Sequence, residues 1–379
     1  MTMTTAYHAP RIFDGTEWHD EAALLVADGC VTGIVPRAEA PEGEVLEHPL
    51  VPGFVDLQVN GGGGVLFNNT PSTDGIAAIC DAHARFGTTS TMVTLITDTA
   101  EVTGRAVAAA RAARHPGFLG LHLEGPHLAL SRKGTHDPAL IRPMDPEDLQ
   151  VLTDAAQGLD RMISTVAPET VTPAQIATLA KAGVVVSLGH SDCDMGVARA
   201  AADAGATMVT HLFNAMSQLG HRSPNLVGAA LDDGRLWAGL IADGFHVDPT
   251  ALRIALRAKA GPAGLFLVSD AMSTVGTDAS ELILNDRRIL RKGGRLTLED
   301  GTLAGADIAL VDAVRYLHLT LGVALGEAVT LASAAPAAAM GLSDRGHLRP
   351  GARADFTCLT PGIEAVGTWI AGRRADAAA

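Results

Sequence analysis

Four polar residues each close a short apolar run in this chain. Glu124 ends Leu119-Gly120-Leu121-His122-Leu123-Glu124, and His190 ends Val184-Val185-Val186-Ser187-Leu188-Gly189-His190. His211 ends Met208-Val209-Thr210-His211, and Asp270 ends Leu265-Phe266-Leu267-Val268-Ser269-Asp270. A carboxylate with two imidazoles is a common zinc-binding set that leaves positions open for water and substrate. A second carboxylate beside such a site takes a proton from water and returns one to a leaving nitrogen. The combination predicts metal-assisted hydrolysis, with Glu124, His190 and His211 as metal ligands and Asp270 as acid and base. Other readings compete with these. His122 and His127 are alternative ligands, Cys193 follows His190 by three residues in the expected first turn of a helix, and Asp270 would also serve as a helix cap. His122 shares a strand face with Glu124 by the period of two, which suits a supporting role.

For these residues to meet, the four runs must end on one rim. Buried-type strands are expected near 51–59, 88–95, 118–124, 162–167, 183–189, 207–212, 236–242 and 264–269, with helical segments between them. Thr172-Pro173, Asp248-Pro249 and Asp145-Pro146 each supply an N-cap followed by proline at the first helical position. Ala182-Gly183 and Ala260-Gly261 are expected to close two helices. Such alternation fits a doubly wound open sheet as well as a barrel. The placement of the four residues on strands three, five, six and eight selects the barrel, whose parallel strands all end on one face. The expected fold is therefore α/β, a (β/α)8 TIM barrel over 51–344, with a β insertion near 276–303 close to the active rim. Residues 1–50 and 345–379 carry short strands broken by Gly and Pro, including a hairpin around Asp28-Gly29 and strands at 355–359 and 366–372. Neither end alone buries a core, so together they are expected to form one small β-sandwich domain.

The composition narrows the partners. Of 379 residues 47% are hydrophobic but only 4% aromatic, so the core must be aliphatic. A formal net charge of -14 opposes nucleic-acid binding. The four cysteines lie far apart with no Cys-x-x-Cys pair, which suits a reducing compartment. Met1 to Ile12 has no signal-like apolar stretch, and no run reaches 18 apolar residues. A cytoplasmic protein without membrane contact is expected.

Several longer segments carry a resemblance. They are Val51-Pro52-Gly53-Phe54-Val55-Asp56, Leu121-His122-Leu123-Glu124-Gly125-Pro126, Lys133-Gly134-Thr135-His136, Gly189-His190-Ser191, Thr210-His211-Leu212-Phe213-Asn214-Ala215-Met216, Ala242-Asp243-Gly244-Phe245-His246-Val247, Ser269-Asp270-Ala271 and the return from Gly346 to Asp355. Together they make the chain similar, along nearly its whole length, to the N-acetylglucosamine-6-phosphate deacetylase family of the amidohydrolase superfamily. The resemblance implies Glu124, His190 and His211 as metal ligands, Asp270 as acid and base, and His136 as the group polarising the acetyl carbonyl. It implies phosphate contacts from Asn214, Ala215 and Arg222, the last reaching across a homodimer interface, and sugar contacts from Thr135, His246 and Leu303-Ala304-Gly305. Many superfamily members end strand one in His-x-His, which holds a second metal. Here that stretch is Gln58-Val59-Asn60, and neither amide is a good zinc ligand. One divalent ion per subunit is expected, zinc first, with Fe2+, Mn2+ or Co2+ as alternatives, and Gln58 is expected to hydrogen-bond the site's water. The substrate implied is a small amino-sugar phosphate, N-acetylglucosamine 6-phosphate, with the galactosamine epimer as nearest rival. A cyclic-amide hydrolase of the same superfamily would need His-x-His and a bridging carboxylated lysine. A silent binding barrel would have lost a ligand or Asp270.

Overall fold

The computed structural model describes residues 4–375. Its core is one sheet of eight parallel strands, each beside the next in chain order: Phe54–Val59, Thr88–Ile96, Phe118–Glu124, Met162–Val166, Val185–Leu188, Ala206–Val209, Trp237–Leu240 and Leu265–Leu267. The first and eighth strands meet just beyond their ends. There the Asp270 N–H donates to Gln58 O at 3.0 Å, and the Asn60 and Gly61 N–H groups donate to Ala271 O at 2.9 and 3.0 Å. The result is a nearly closed barrel with the expected strands in the expected order.

Local chemistry explains the helices between them. Thr172 accepts from the Gln175 N–H while the Gln175 side chain accepts from the Thr172 N–H, a reciprocal cap on the helix Pro173–Lys181. Asp145 and Asp148 cap Pro146–Gln157 in the same way, and Asp248 accepts from the Thr250 N–H ahead of Pro249–Ala258. Ala182 ends its helix as expected, with Gly183 in the left-handed region. The helix Pro249–Ala258 stops at Lys259, before the expected Ala260-Gly261. Cys193 lies ahead of the N-cap Asp194 and not inside the helix Met195–Asp203. No described helix is long and apolar enough to cross a membrane.

The terminal strands form a second, mixed sheet in the order Arg373–Arg374, Ala365–Ile370, Phe356–Leu359, Leu50–Pro52, Thr5–Phe13, Trp18–Ala27 and Cys30–Pro36, with Glu44–Val45 beside Thr5–Phe13. The strand expected over 51–59 is in fact two. Leu50–Pro52 pairs antiparallel with Phe356–Leu359, and the barrel begins only at Phe54. Gly53 makes the crossing, where an added Cβ would lie 2.3 Å from the Thr89 side chain. The hairpin turn at Asp28-Gly29 has positive φ at both residues, as a two-residue turn between twisted strands requires. The sheet curls on itself. Tyr7 lies three strands from Trp369, yet their rings are 5.8 Å apart, and Phe356 stacks on Trp369 at 4.8 Å. After strand eight comes a four-stranded antiparallel meander, Glu281–Leu284, Arg287–Lys292, Arg295–Thr297 and Leu303–Ala306, which starts and ends a few residues later than the insertion expected near 276–303.

Trp369 is buried and touches both halves of the curled sheet. Trp369→Ala is expected to cost about 3–5 kcal/mol, read as a lowered midpoint in urea. A loss below about 1 kcal/mol would mean that the aromatic cluster does not hold the sheet closed.

Candidate active site

The four residues singled out by type and position converge at the C-terminal rim. Glu124 is the last residue of strand three, His190 and His211 stand two residues beyond strands five and six, and Asp270 stands three beyond strand eight. His190, His211 and Asp270 all have positive φ, at 46°, 31° and 52°. Non-glycine residues seldom adopt this conformation. It is held by bonds to neighbouring segments, such as the loop residue Ala129, whose N–H donates to His190 O at 2.9 Å, and strand one, where Gln58 O accepts from the Asp270 N–H.

Glu124 Oε1 is the focus. His211 Nε2 lies 3.1 Å from it and His190 Nε2 3.4 Å, while the two imidazole nitrogens are 3.0 Å from each other. All three side chains are buried. Burial would raise the Glu124 carboxyl, but hydrogen bonds from His190 and His211 outweigh it and hold the group well below the usual carboxylate range. Burial would likewise lower His211, yet Glu124 raises it above the ordinary histidine value. A proton between two of these three atoms leaves the third facing a like lone pair. A divalent cation satisfies all three at once, so the donor set fits one metal ion.

At strand one, where a second metal would need imidazoles, two amides bond the carboxylates instead. Gln58 Nε2 donates to Glu124 Oε1 and to Asp270 Oδ1, both at 3.1 Å, and Asn60 Nδ2 donates to Asp270 Oδ1 at 2.7 Å. Gln58 thus spends its amide hydrogens on the two carboxylates. Burial, then the nearby Glu124 charge, pushes the Asp270 carboxyl up to about 6.

The competing ligands fall away. His122 Nε2 lies 2.7 Å from Thr165 Oγ1 and its Nδ1 3.3 Å from Thr94 Oγ1, below the ligand set. Burial pushes it down to about 4, which keeps it neutral. From Thr165 the hydroxyl chain continues to Thr210 at 2.7 Å and Ser187 at 2.6 Å, and Thr94 Oγ1 accepts from the Val59 N–H at 3.0 Å. One polar ribbon therefore ties strands one through six beneath the ligands. His127 Nδ1 bonds Arg142 O at 3.2 Å, away from the cluster. Cys193 is buried, and burial pushes its thiol up to about 11.

A cavity of about 340 Å³ opens over the cluster. Thr135, His136, Asn214, Ala215, His246, Leu303 and Gly305 line it, as does Asp270. Two expected contacts are absent from its wall. Ala304 points into the core of the meander with no exposure, because alternate residues of a strand face opposite sides. Arg222 is exposed on a loop outside this chain's cavity. Gly305 has φ +65°, and an added Cβ there would lie 2.5 Å from Met272, so only glycine brings this backbone to the cavity. His136 Nδ1 lies 2.7 Å from Thr97 Oγ1, which also reaches Glu124 O at 3.0 Å. His246 Nδ1 bonds Asp243 Oδ2 at 2.6 Å. Thr97, Ser131, Arg132 and Thr302 were not anticipated. Thr97 follows a strand directly, the one cue it carried; Ser131 and Arg132 lie in the short 3-10 turn Leu130–Arg132 and Thr302 ahead of the last meander strand, without a distinctive pattern.

The sequence pattern of the amidohydrolase family matches residues 50–375. An N-acetylgalactosamine-6-phosphate deacetylase from Shewanella sp. (strain ANA-3) is 38% identical over 362 residues, 93% of this chain and 91% of that protein. An N-acetylglucosamine-6-phosphate deacetylase from Haemophilus influenzae is 33% identical over 362 residues, 93% of this chain and 94% of that one. The crystal structure of N-acetyl-D-glucosamine-6-phosphate deacetylase from Mycobacterium smegmatis superposes with a TM-score of 0.92 at 33% identity, covering 98% of this chain and 99% of its own.

Elemental analysis of the purified protein is expected to give about one divalent ion per chain. Glu124→Gln keeps the side-chain shape but removes the charge at the focus, and should weaken metal binding by more than about tenfold. Two tightly held ions per chain, or undiminished affinity in the variant, would overturn this assignment.

Proposed function

Because this chain belongs to the amidohydrolase family, we propose that it removes acetate from the 2-acetamido group of N-acetylglucosamine 6-phosphate, giving glucosamine 6-phosphate. The observation that carries this reading is the buried Glu124, His190 and His211 set at the floor of a cavity, with the Asp270 carboxylate beside it. A divalent ion bound there supplies Lewis acidity for water and for the acetyl carbonyl. We assign zinc, since two imidazoles and a carboxylate with open positions suit it, and Fe2+, Mn2+ and Co2+ remain alternatives.

The chain's own residues divide the remaining work. Asp270, aimed by the Asn60 and Gln58 amides, takes the proton of the attacking water and delivers it to the amide nitrogen. The amine then leaves protonated. His136 Nε2–H donates to the carbonyl oxygen as negative charge develops there. For this Thr97 turns its hydroxyl hydrogen from Glu124 O to His136 Nδ1. Thr135 lines the cavity, and its buried Oγ1 has no hydrogen-bond partner among the described residues, which supports its use on a sugar hydroxyl. Asp243 accepts from His246 Nδ1 and leaves Nε2 to accept from another. The phosphate is taken by Asn214 and Ala215, on the cavity wall, and by the partner subunit's Arg222 in a homodimer. A guanidinium suits it, donating two parallel hydrogen bonds. The four free cysteines, three of them buried, support a reducing cytoplasm.

The galactosamine epimer is the second reading, favoured by the 38% identity to the Shewanella protein. The two substrates differ at one hydroxyl, and a site built to bond it separates them. Steady-state rates on both 6-phosphates decide between them.

Asp270→Asn is expected to keep fold, metal content and substrate affinity while kcat falls by several orders of magnitude. In the parent enzyme the rate drops as acid protonates Asp270, and that limb should vanish in the variant. Near-normal turnover of a metal-replete variant would make another group the base.

Arg222→Ala should lower kcat/KM for the 6-phosphate about 10- to 100-fold and leave the weak turnover of the unphosphorylated sugar unchanged. Equal losses on both would reduce Arg222 to a structural role.

A further inference from the structure

We propose that the cleft on the opposite face of the barrel binds an organic phosphate of about nucleotide size. Its wall includes Phe118 and Leu119 at the start of strand three, and Arg161 directly before strand four. In a parallel barrel these N-terminal ends face away from the catalytic rim. The cleft encloses about 730 Å³, twice the volume of the active cavity and within the range that holds small organic ligands.

Its charge is opposite to that of the molecule. Five guanidiniums, Arg111, Arg114, Arg161, Arg345 and Arg353, line it in a chain of formal net charge -14. Arg345 and Arg353 form a fixed wall. The first bonds Asp344 at 3.0 Å and Ser90 Oγ at 3.1 Å, and the second bonds Asp355 at 2.7 Å and Pro116 O at 3.0 Å. The other three have no carboxylate partner among the described residues. Arg114 donates to Ala113 O at 2.6 Å and Arg111 O at 2.8 Å, Arg161 donates to Asp160 O at 2.7 Å, and Arg111 donates to Asp154 O. Counting Asp160 and Asp344 in the wall, Asp355 behind Arg353 and Asp81 behind His115, five guanidiniums meet four carboxylates, leaving one positive charge before His115 is counted.

The plainer reading makes these arginines caps for helix C-termini, since Arg111 and Arg114 adjoin the end of Ala100–Ala112 and reach terminal carbonyls. That accounts for one or two N–H groups of five on each guanidinium. It does not account for three unpaired guanidiniums around one cavity, whose mutual repulsion a carbonyl only partly offsets. A phosphate dianion would neutralise the excess and take paired N–H donors. The Pro116 and Phe118 rings in the same wall give the remainder of such a ligand an apolar surface.

Isothermal titration of the metal-replete protein with ATP, pyrophosphate and adenosine tests this. ATP is expected to bind one site per chain with Kd below about 1 mM at low salt, pyrophosphate more weakly, and adenosine not measurably. Raising the salt should weaken binding. Arg114→Gln/Arg161→Gln, both on surface loops, should lose about tenfold or more in ATP affinity while deacetylation continues at the parent rate. Because ATP also chelates metals, the titration is repeated in Glu124→Gln, where affinity should be unchanged. No saturable binding, equal affinity in the double variant, or loss of binding in Glu124→Gln would each overturn the proposal.

Discussion

The site turns on one oxygen atom. Glu124 Oε1 faces His211 Nε2, His190 Nε2 and the Gln58 amide at once, from strands six, five and one. A buried carboxylate is tolerated only when its charge is shared, and this one is shared four ways once a cation is added. The donors belong to three different strand ends, so their spacing depends on barrel geometry. Small changes in strand register would pull them apart. The Gln58 amide also reaches Asp270, so a single side chain sets the distance between the Glu124 and Asp270 carboxylates.

Beneath that oxygen the barrel is polar where an aliphatic core would be the default. The ribbon from Ser187 through Thr210, Thr165 and His122 to Thr94 and the Val59 N–H ties six strands with bonds that have fixed lengths. Apolar packing tolerates sliding by a few tenths of an ångström; a chain of hydroxyls does so less readily, since each member needs its partner. Holding His122 neutral is part of the same design, because a charged imidazole there would repel any cation held by the Glu124, His190 and His211 cluster above it. Buried polar groups of this kind specify position more than they add stability.

The meander after strand eight completes the cavity from outside the barrel. Leu303 and Gly305 come to its wall from the last meander strand, while Arg287 donates to Thr135 O and Asn285 Nδ2 to Thr97 O. The first bond anchors the loop that carries His136 and the second holds Thr97 beside that histidine, so the insertion and this loop position each other. The curled terminal sheet plays a different part. Leu50–Pro52 lies directly before strand one, and its pairing with Phe356–Leu359 holds the start of the strand that carries Gln58 and Asn60.

Much of this was legible in the residues themselves. The eight strands announced themselves as apolar runs between capped helices, because burial on both faces needs continuous hydrophobicity and helix starts need Thr or Asp with proline. Glu124, His190, His211 and Asp270 stood out because each broke such a run at its end, and parallel strands share one end. The missing His-x-His was equally plain. Tertiary structure decided the rest. The split at Gly53 was hidden because strands of two sheets follow one another without a break in hydrophobicity. Ala304 faced the core because the meander's register, set by cross-strand pairing, is invisible in a single segment. The left-handed backbone at His190 and Asp270 is held by bonds to segments distant in the chain, the loop at Ala129 and strand one at Gln58. Placing His211 beside Glu124 and His122 below it, and giving Gln58 to two carboxylates, required distances between residues tens to hundreds of positions apart. Residue types and their periodicity are local properties and determine which groups reach the rim; which of them touch is set by closure of the barrel, a property of the whole chain.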